Sequence, residues 1–467
     1  MQRMSSQDAA FLYAETPTWH MHVASLVIVD PSQSEGRFSF EHVRELTLER
    51  LPLVPQFRWQ LVEVPFGMDL PGWIEGPPID ADYHIKRVSL PKPADANALS
   101  DFVGQLISRK LDRRRPLWEV YVITGLEGAR AAVLTKVHHC LIDGVSGASL
   151  SEVLMDFTQE PRKAPTQQRD VIQDERPSEV ELLGWGILNT AVQTPLRLVR
   201  FGLQSARQAV AASRSLLSSK RPAIPYTAPR THLTGEFTAH RKFGAVTLDI
   251  QRLKAVRKTF GITMNDLVLA LCAGALRNYL IELDDLPEHA LVVQCPVSLR
   301  KPDDRDSVGS KVGSMFVELA TNIEDPLERL RAVTESATRG KQMHHLLGGE
   351  QHMGITETAP PGLIGLAARM YSSVHLERAP APVNLVVSNV PGPSVQFYVA
   401  GAPVEQLLPL GPLLLGMAVN ITAFSHNQQL DVSVVSCPDL VADPQRIADG
   451  FEESLAELEQ SLSLVNR

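Results

Sequence analysis

The sequence predicts an α/β fold in two domains, each built on a mixed sheet. The chain has 467 residues, which is more than one hydrophobic core ordinarily serves, and 44% of them are hydrophobic, which is enough to form two cores. In both halves, short β-rich runs alternate with segments of helical periodicity. Polar residues and prolines interrupt this pattern from Glu160 to Pro177. We therefore predict a first domain over residues 1–160, a connecting region over 161–225 and a second domain over 226–467.

Period-two and period-3.6 patterns place the elements of the first domain. The predicted strands are Val23–Val29, Val120–Thr124 and Ala131–His138, and the predicted helices are Phe40–Arg50 and Ala98–Asp112.

The second domain shows the same alternation of predicted strands and helices. Its predicted strands are Val246–Asp249, Leu291–Cys295, Ser314–Leu319, Asn384–Ser388, Met417–Phe424 and Leu430–Ser436. Its predicted helices are Asn265–Ile281, Pro326–Arg339 and Pro444–Leu462. A hairpin turn over Ser425–Gln428 is predicted to join the last two strands.

The connecting region has an unusual charge pattern. From Leu182 to Gly235 there is no Asp or Glu, although the chain carries 45 basic and 53 acidic residues. Arg200, Arg207 and Arg214 recur every seven residues beside an apolar seven-residue repeat, which predicts a basic amphipathic helix. Two roles fit such a helix, a connector packed between domains and a contact with a membrane or lipid droplet, and both stay open.

Composition excludes several classes of protein. The formal charge of −8 argues against a nucleic-acid-binding surface spread over the chain. Four cysteines lie far apart without C-x-x-C spacing, so neither a metal site nor a disulfide framework is indicated, and a reducing compartment fits best. The polar start lacks signal-peptide features, and the most apolar stretch, Leu407–Val419, is too short and too rich in Pro and Gly to span a bilayer. We expect a cytoplasmic protein that is soluble or peripheral on a membrane.

The motif that indicates catalysis begins at the last residue of the predicted strand Ala131–His138. It reads His138-His139-Cys140-Leu141-Ile142-Asp143-Gly144. Side chains alternate along a strand, so His138 and His139 should face opposite sides. Asp143 and Gly144 suit a tight turn that folds the carboxylate back. Because imidazole titrates near neutral pH, the pattern predicts His139 as a general base that removes a hydroxyl proton.

With this motif, the sequence resembles the bacterial wax ester synthase/acyl-CoA:diacylglycerol acyltransferase family, within the H-H-x-x-x-D-G acyltransferases. The resemblance covers nearly the whole chain. The matching blocks are Ser6–Pro17, His22-Val23, Pro116-Leu117-Trp118-Glu119, Asn265–Ala270, Pro296–Arg300, Ser388–Pro393 and Gly416–Asn420.

The resemblance implies two chloramphenicol acetyltransferase-like domains with an active-site tunnel at their interface. Acyl-CoA would be a substrate and no cofactor would be needed. His139 would deprotonate the acceptor hydroxyl, while His138, Asp143 and Gly144 would hold the loop and the imidazole. Asp143 would pair with Arg300 of the other domain.

Three other features have alternative roles. Thr263 and Asp266 form a plausible capping box, whereas Asn265 is a candidate for orienting substrate or stabilising the tetrahedral oxygen. Glu15 is either a buried partner near the base or an exposed turn carboxylate. Pro116-Leu117-Trp118 is better interpreted as scaffold than as a substrate contact.

The predicted function is transfer of a long-chain acyl group from acyl-CoA to diacylglycerol, forming triacylglycerol. Wax ester synthesis from a long-chain alcohol demands the same base and stays open, as does a non-catalytic lipid-binding protein. The chain has no G-x-S-x-G, so a serine esterase is unsupported. A peptide-condensing domain shares the His motif, but no carrier-protein segment is present. The oligomeric state is not predicted.

Overall fold

A computed structural model describes residues 1–141, 155–163, 175–188, 223, 226–298, 312–346, 382–414 and 416–465. The strands are β1 (Gln2–Arg3), β2 (His22–Val29), β3 (Trp59–Val62), β4 (Gly72–Glu75), β5 (Ile85–Ser89), β6 (Trp118–Thr124), β7 (Ala131–His138), β8 (Lys242–Asp249), β9 (Val292–Ser298), β10 (Val312–Glu318), β11 (Leu385–Pro391), β12 (Tyr398–Val399), β13 (Ala402–Leu410), β14 (Val419–His426) and β15 (Gln429–Ser436). The helices are α1 (Ser6–Ala14), α2 (Phe40–Arg50), α3 (Ala81–His84), α4 (Ala96–Ile107), α5 (Ile250–Phe260), α6 (Met264–Glu282), α7 (Pro326–Leu346) and α8 (Pro444–Val465), and residues 179–188 are also helical.

Two six-stranded mixed sheets organise the molecule. The first has the order β12-β13-β2-β7-β6-β5, in which only β5 and β6 are parallel. The second has the order β10-β9-β11-β14-β15-β8, with β11 parallel to both of its neighbours. A small sheet, β1-β4-β3, lies beside the first. Mixed sheets with helices on their faces are the α/β class that the alternating pattern predicts.

The first sheet takes two strands from the far end of the chain. Strand β13 pairs antiparallel with β2, from Val404 opposite Val29 to Leu410 opposite Ala24, with a bulge between Val404 and Gln406. The predicted second domain therefore contributes the edge of the first sheet, and β2 lies between β13 and β7. The boundaries at 160 and 226 remain predictions.

Helix α4 also connects the two halves. Its buried face, which includes Leu99 and Val103, joins the same hydrophobic core as the second sheet. Ser100 Oγ hydrogen-bonds both the N–H and the carbonyl of Phe243 on β8. A Cβ at Gly104 would lie only 2.0 Å from the carbonyl oxygen of Arg241, so this contact requires glycine.

The predicted elements are largely present, and their ends differ for local reasons. Strand β7 and helix α2 have the predicted bounds. The helix predicted to reach Asp112 ends at Ile107, because the buried Lys136 ammonium binds the carbonyl oxygens of Leu106 (3.0 Å) and Arg109 and so caps the helix end. Asn427, with a φ of 48°, makes the predicted hairpin turn between β14 and β15.

The predicted capping box begins α6. Thr263 Oγ1 accepts from the N–H of Asp266 at 3.2 Å, and Asp266 Oδ2 accepts from the N–H of Thr263 at 3.1 Å. Asp266 is therefore structural, and it also contacts Lys341 at 3.3 Å.

Within the described ranges, no single helix is long and apolar enough to cross a membrane, although α5 and α6 pass that test as a pair bent by 103°. The predicted basic helix with Arg200, Arg207 and Arg214 lies outside the described residues.

Candidate active site

The site forms where β7 ends. His138, the last residue of β7, pairs with His22, the first residue of β2, so both imidazoles lie on one face of the sheet. The His138 N–H donates to the carbonyl of Leu117, and its side chain is only 1% exposed. The predicted scaffold segment Pro116–Trp118 thus fixes the strand end. Its Trp118 is buried, stacks on Phe57 and donates from Nε1 to that residue's carbonyl at 2.7 Å.

His139 lies in a different environment, as strand alternation predicts. Its backbone N–H donates to the carbonyl of Met21 at 2.7 Å, and its ring stacks on Phe11 of α1 with centroids 4.0 Å apart. Phe11 itself packs against the apolar core that contains Val137. Burial lowers the pKa of the His139 imidazole, so the ring is neutral at pH 7. A neutral imidazole held at two points can accept a proton.

Glu15 lies directly beside this pair. Its side chain is 2% exposed, which identifies it as the buried partner and not the exposed turn carboxylate. Oε2 accepts from Arg113 at 2.9 Å and lies 3.8 Å from Lys110 Nζ. Oε1 faces the other way, 3.3 Å from His22 Nε2 and 3.9 Å from His138 Nε2. One oxygen thus contacts cations and the other contacts imidazoles.

The charge states follow from these contacts. Burial disfavours the charged form of Glu15, but the contacts with His22, His138 and Lys110 outweigh burial and hold the pKa of the carboxyl well below its usual range. Burial lowers the pKa of His22 to about 4 and lowers that of His138 well below 6.5. At neutral pH a carboxylate therefore faces two neutral imidazoles.

The tautomer of His138 can be inferred from its neighbours. Its Nδ1 accepts from the N–H of Cys140 at 3.2 Å, so the single proton of the neutral ring is on Nε2, which points toward Glu15. The carboxylate favours this tautomer, and this tautomer holds the turn through Cys140 that carries His139. Glu15 is in this way a positioning residue.

The remaining predicted residues do not join this cluster in the described part of the chain. Asn265 is the second residue of α6, and its side chain makes no hydrogen bond to Glu15, His138 or His139 there. Asp143, Gly144 and Arg300 lie outside the described residues, so their roles stay predictions.

Several residues of the site were not predicted from the sequence. The two-residue spacing of His20 and His22 was an available signal, because side chains two apart in an extended segment point the same way. Lys110 and Arg113 come from the segment after α4, and no local pattern connects them to Glu15.

Comparison with known proteins decides the family. The sequence model of the wax ester synthase/diacylglycerol acyltransferase catalytic domain matches residues 4–268, and that of the WS/DGAT C-terminal domain matches residues 308–459. The chain belongs to the wax ester synthase/diacylglycerol acyltransferase family. The motif resemblance seen in the sequence is confirmed.

Relatives in this family align along almost the full chain. A putative diacylglycerol O-acyltransferase of Mycobacterium tuberculosis (strain CDC 1551 / Oshkosh) is 34% identical over 98% of this chain and 90% of its own length. Another from the same strain is 35% identical over 99% of this chain and 100% of its own.

Solved structures support the same fold. The wax ester synthase/diacylglycerol acyltransferase from Marinobacter aquaeolei VT8 matches with a TM-score of 0.71 at 28% identity, over 99% of both chains. The first condensation domain of the calcium-dependent antibiotic synthetase matches with a TM-score of 0.58 at 16% identity, over 98% of this chain and 95% of its own, and shares the fold alone. The predicted α/β fold with two chloramphenicol acetyltransferase-like domains is confirmed.

Replacing Glu15 tests its positioning role. Glu15→Gln removes the charge that selects the His138 tautomer, so kcat should fall by up to about 100-fold while KM for acyl-CoA changes little. Glu15→Asp should recover part of the loss. Glu63→Gln is the matched control, because Glu63 contacts the same Arg113 at 3.0 Å from the exposed side. Equal losses in Glu15→Gln and Glu63→Gln would rule out the role.

Proposed function

We propose that this chain is a diacylglycerol O-acyltransferase that moves a long-chain acyl group from acyl-CoA to the hydroxyl of diacylglycerol, with His139 as general base. The observation that carries the proposal is the setting of His139: a neutral imidazole, held by Met21 and Phe11, at the end of the strand that carries the family motif. The names of the Mycobacterium tuberculosis relatives supply the reaction class.

The reaction needs one proton acceptor. His139 takes the hydroxyl proton as the oxygen attacks the thioester carbonyl carbon, and the resulting imidazolium is buried where its charge is costly. When the tetrahedral adduct collapses, the C–S bond breaks and the CoA sulfur takes the proton from His139. The imidazole is then neutral again, and no acyl-enzyme forms. The products are triacylglycerol and CoA.

The other predicted residues support this step. Asp143 and Gly144 would shape the loop after His139, Arg300 would pair with Asp143 across the two domains, and Asn265 would contact the substrate or the tetrahedral oxygen. Acyl-CoA and the acceptor would meet in the predicted tunnel between the domains. No cofactor is required, because the thioester supplies the driving force.

A long-chain alcohol is the second candidate acceptor. The name of the Marinobacter aquaeolei protein joins wax ester synthesis to diacylglycerol acylation, and both acceptors present one hydroxyl on an apolar chain. The same base serves both reactions.

We also propose that the protein works at a lipid surface, because its acceptor is insoluble in water. Within helix 179–188, Leu182 packs on the small sheet beside Val62 and Val64. Four other apolar side chains of this helix are exposed, and the neighbouring Phe66 is 89% exposed at a φ of 59°. The exposed residues are Phe66, Val180, Trp185, Ile187 and Leu188. Exposed aromatic and aliphatic side chains grouped in this way suit the interfacial region of a membrane.

A radiolabelled acyl-CoA assay tests the reaction and its base together. The wild-type protein receives diacylglycerol and a long-chain alcohol side by side, and we expect labelled triacylglycerol. His139→Ala should lower the rate by about 100-fold or more, because general base catalysis contributes that much. His240→Gln, at an exposed His–Asp pair, is the control and should retain the rate. If only wax ester forms, the acceptor is the long-chain alcohol and not diacylglycerol. If neither product forms, a non-catalytic lipid-binding protein is favoured.

The pH profile tests the charge state of His139. The imidazole is active when deprotonated and its pKa is lowered by burial, so kcat/KM should be flat near pH 7 and fall as the pH drops through a pKa below 6.5. The measurement is initial CoA release from pH 4.5 to 8.5. An acid limb centred above pH 7 would contradict the proposed state of the base.

Substituting the exposed apolar residues tests lipid contact. Phe66→Ser combined with Trp185→Ser should sharply reduce flotation with phospholipid vesicles, while turnover of a water-soluble short-chain alcohol is retained. Tyr226→Ser is the control, because it removes an exposed aromatic side chain that is distant in sequence from Phe66 and Trp185. If the double variant floats as the wild type does, the surface has no role in lipid binding.

A further inference from the structure

Three side chains near His139 form a cluster of potential metal ligands. Glu15, His22 and His138 each offer one ligand atom, and these atoms all lie within 4.8 Å of one another. Glu15 Oε1 is 3.3 Å from His22 Nε2 and 3.9 Å from His138 Nε2. All three side chains are almost fully buried. Imidazole nitrogens and a carboxylate oxygen are ligands that zinc accepts.

One of the three distances between ligand atoms already suits a tetrahedral ion. Zinc bonds of about 2.0 to 2.2 Å put neighbouring ligand atoms about 3.3 to 3.5 Å apart. The distance between Glu15 Oε1 and His22 Nε2, 3.3 Å, already has this value. His138 Nε2 is 3.9 Å from Oε1, and the ligand atoms of His22 and His138 lie within 4.8 Å of each other, so the His138 ring has to move inward when an ion binds. Leu111 N–H lies 3.5 Å from His22 Nε2, and this long contact is the one that an ion displaces.

A third imidazole, that of His20, lies beside this cluster. His20 is 6% exposed, and its ring lies 5.6 Å from that of His22, as His22 lies from His138. Among the described residues, neither ring nitrogen of His20 has a hydrogen-bond partner, and the same holds for His138 Nε2. A buried nitrogen without a partner destabilises the folded state, and an ion bound between Glu15, His22 and His138 would give His138 Nε2 a partner.

We propose that Glu15, His22 and His138 form a zinc-binding site, with His20 beside it, and that zinc bound there inhibits acyl transfer. The inhibitory part rests on the proposed function. Without zinc, His138 Nδ1 accepts from the Cys140 N–H at 3.2 Å. A zinc ion on Nε2 forces the ring proton onto Nδ1, so that two N–H donors face each other. Two donors cannot remain opposed, so the turn through Cys140 shifts and displaces His139.

Two cations set the strength of the site. Arg113 and Lys110 contact Oε2 of Glu15, the oxygen that faces away from the imidazoles. They neutralise the carboxylate and repel a divalent ion, so they compete with zinc. Lys110→Met should therefore tighten zinc binding. An adventitious site elsewhere on the surface would not respond to this change.

The experiment measures zinc binding and catalysis separately on the full chain without an affinity tag. Calorimetric titration with zinc chloride should give one site per chain in the wild type, loss of that site in His22→Gln and Glu15→Gln, and a lower Kd in Lys110→Met. His232→Gln removes an imidazole from the partly exposed pair with Asp285 and is the matched control. A melting curve for each variant verifies folding.

CoA release is then followed as zinc is added, each variant being compared with its own zinc-free rate. Saturating zinc should abolish turnover in the wild type and in His232→Gln, and should leave the residual rate of His22→Gln unchanged. One-to-one binding that persists in His22→Gln, or an unaffected Kd in Lys110→Met, would overturn the site. Stoichiometric binding without inhibition would overturn the regulatory part. If the metal-free wild type forms no product, the proposed function fails, whereas the binding data still decide the site.

Discussion

The active geometry depends on the backbone ladder of β2. This strand pairs with β7 on one side, which ends in the motif, and with β13 on the other, which arrives from the far end of the chain. The register that places His22 opposite His138 also brings Met21 to the N–H of His139. A slip of one residue would turn every side chain of β2 to the other face, so the base and its supports would be lost together.

The end of β7 separates an apolar environment from a polar one. His139 lies on the side of Phe11 and the core that contains Val137, an apolar environment that suits an acyl chain. His138 lies on the side of the buried polar groups Glu15 and Lys136. Because consecutive residues face opposite ways, a short segment can present a base to a lipid substrate and anchor it among charged groups.

Those buried charges are each compensated locally. Lys136 is fully buried, and burial lowers its pKa to about 8, but its ammonium caps α4 through two carbonyl oxygens and lies 3.9 Å from Glu119. Glu119 in turn accepts from Lys86 at 2.8 Å and from the Tyr121 hydroxyl at 2.7 Å. Removing one member would leave another charged group buried alone, which is the costly case.

What the sequence could predict follows from the range of each interaction. Periodicity is local, so β7 and α2 were predicted with their bounds, and the alternation of the His pair followed from β7 alone. The end of α4 was missed because Lys136, some thirty residues away, caps it. Strand β13 was missed because its pairing with β2 crosses most of the chain and its Pro409 weakens the strand pattern. Glu15 was named as a candidate, but only tertiary structure brings Arg113 and His22 to its two oxygens. The polar support of the base is therefore assembled from distant segments, whereas the base itself is encoded in one. A search for the motif finds His139, but the groups that set its orientation can be found only through the fold.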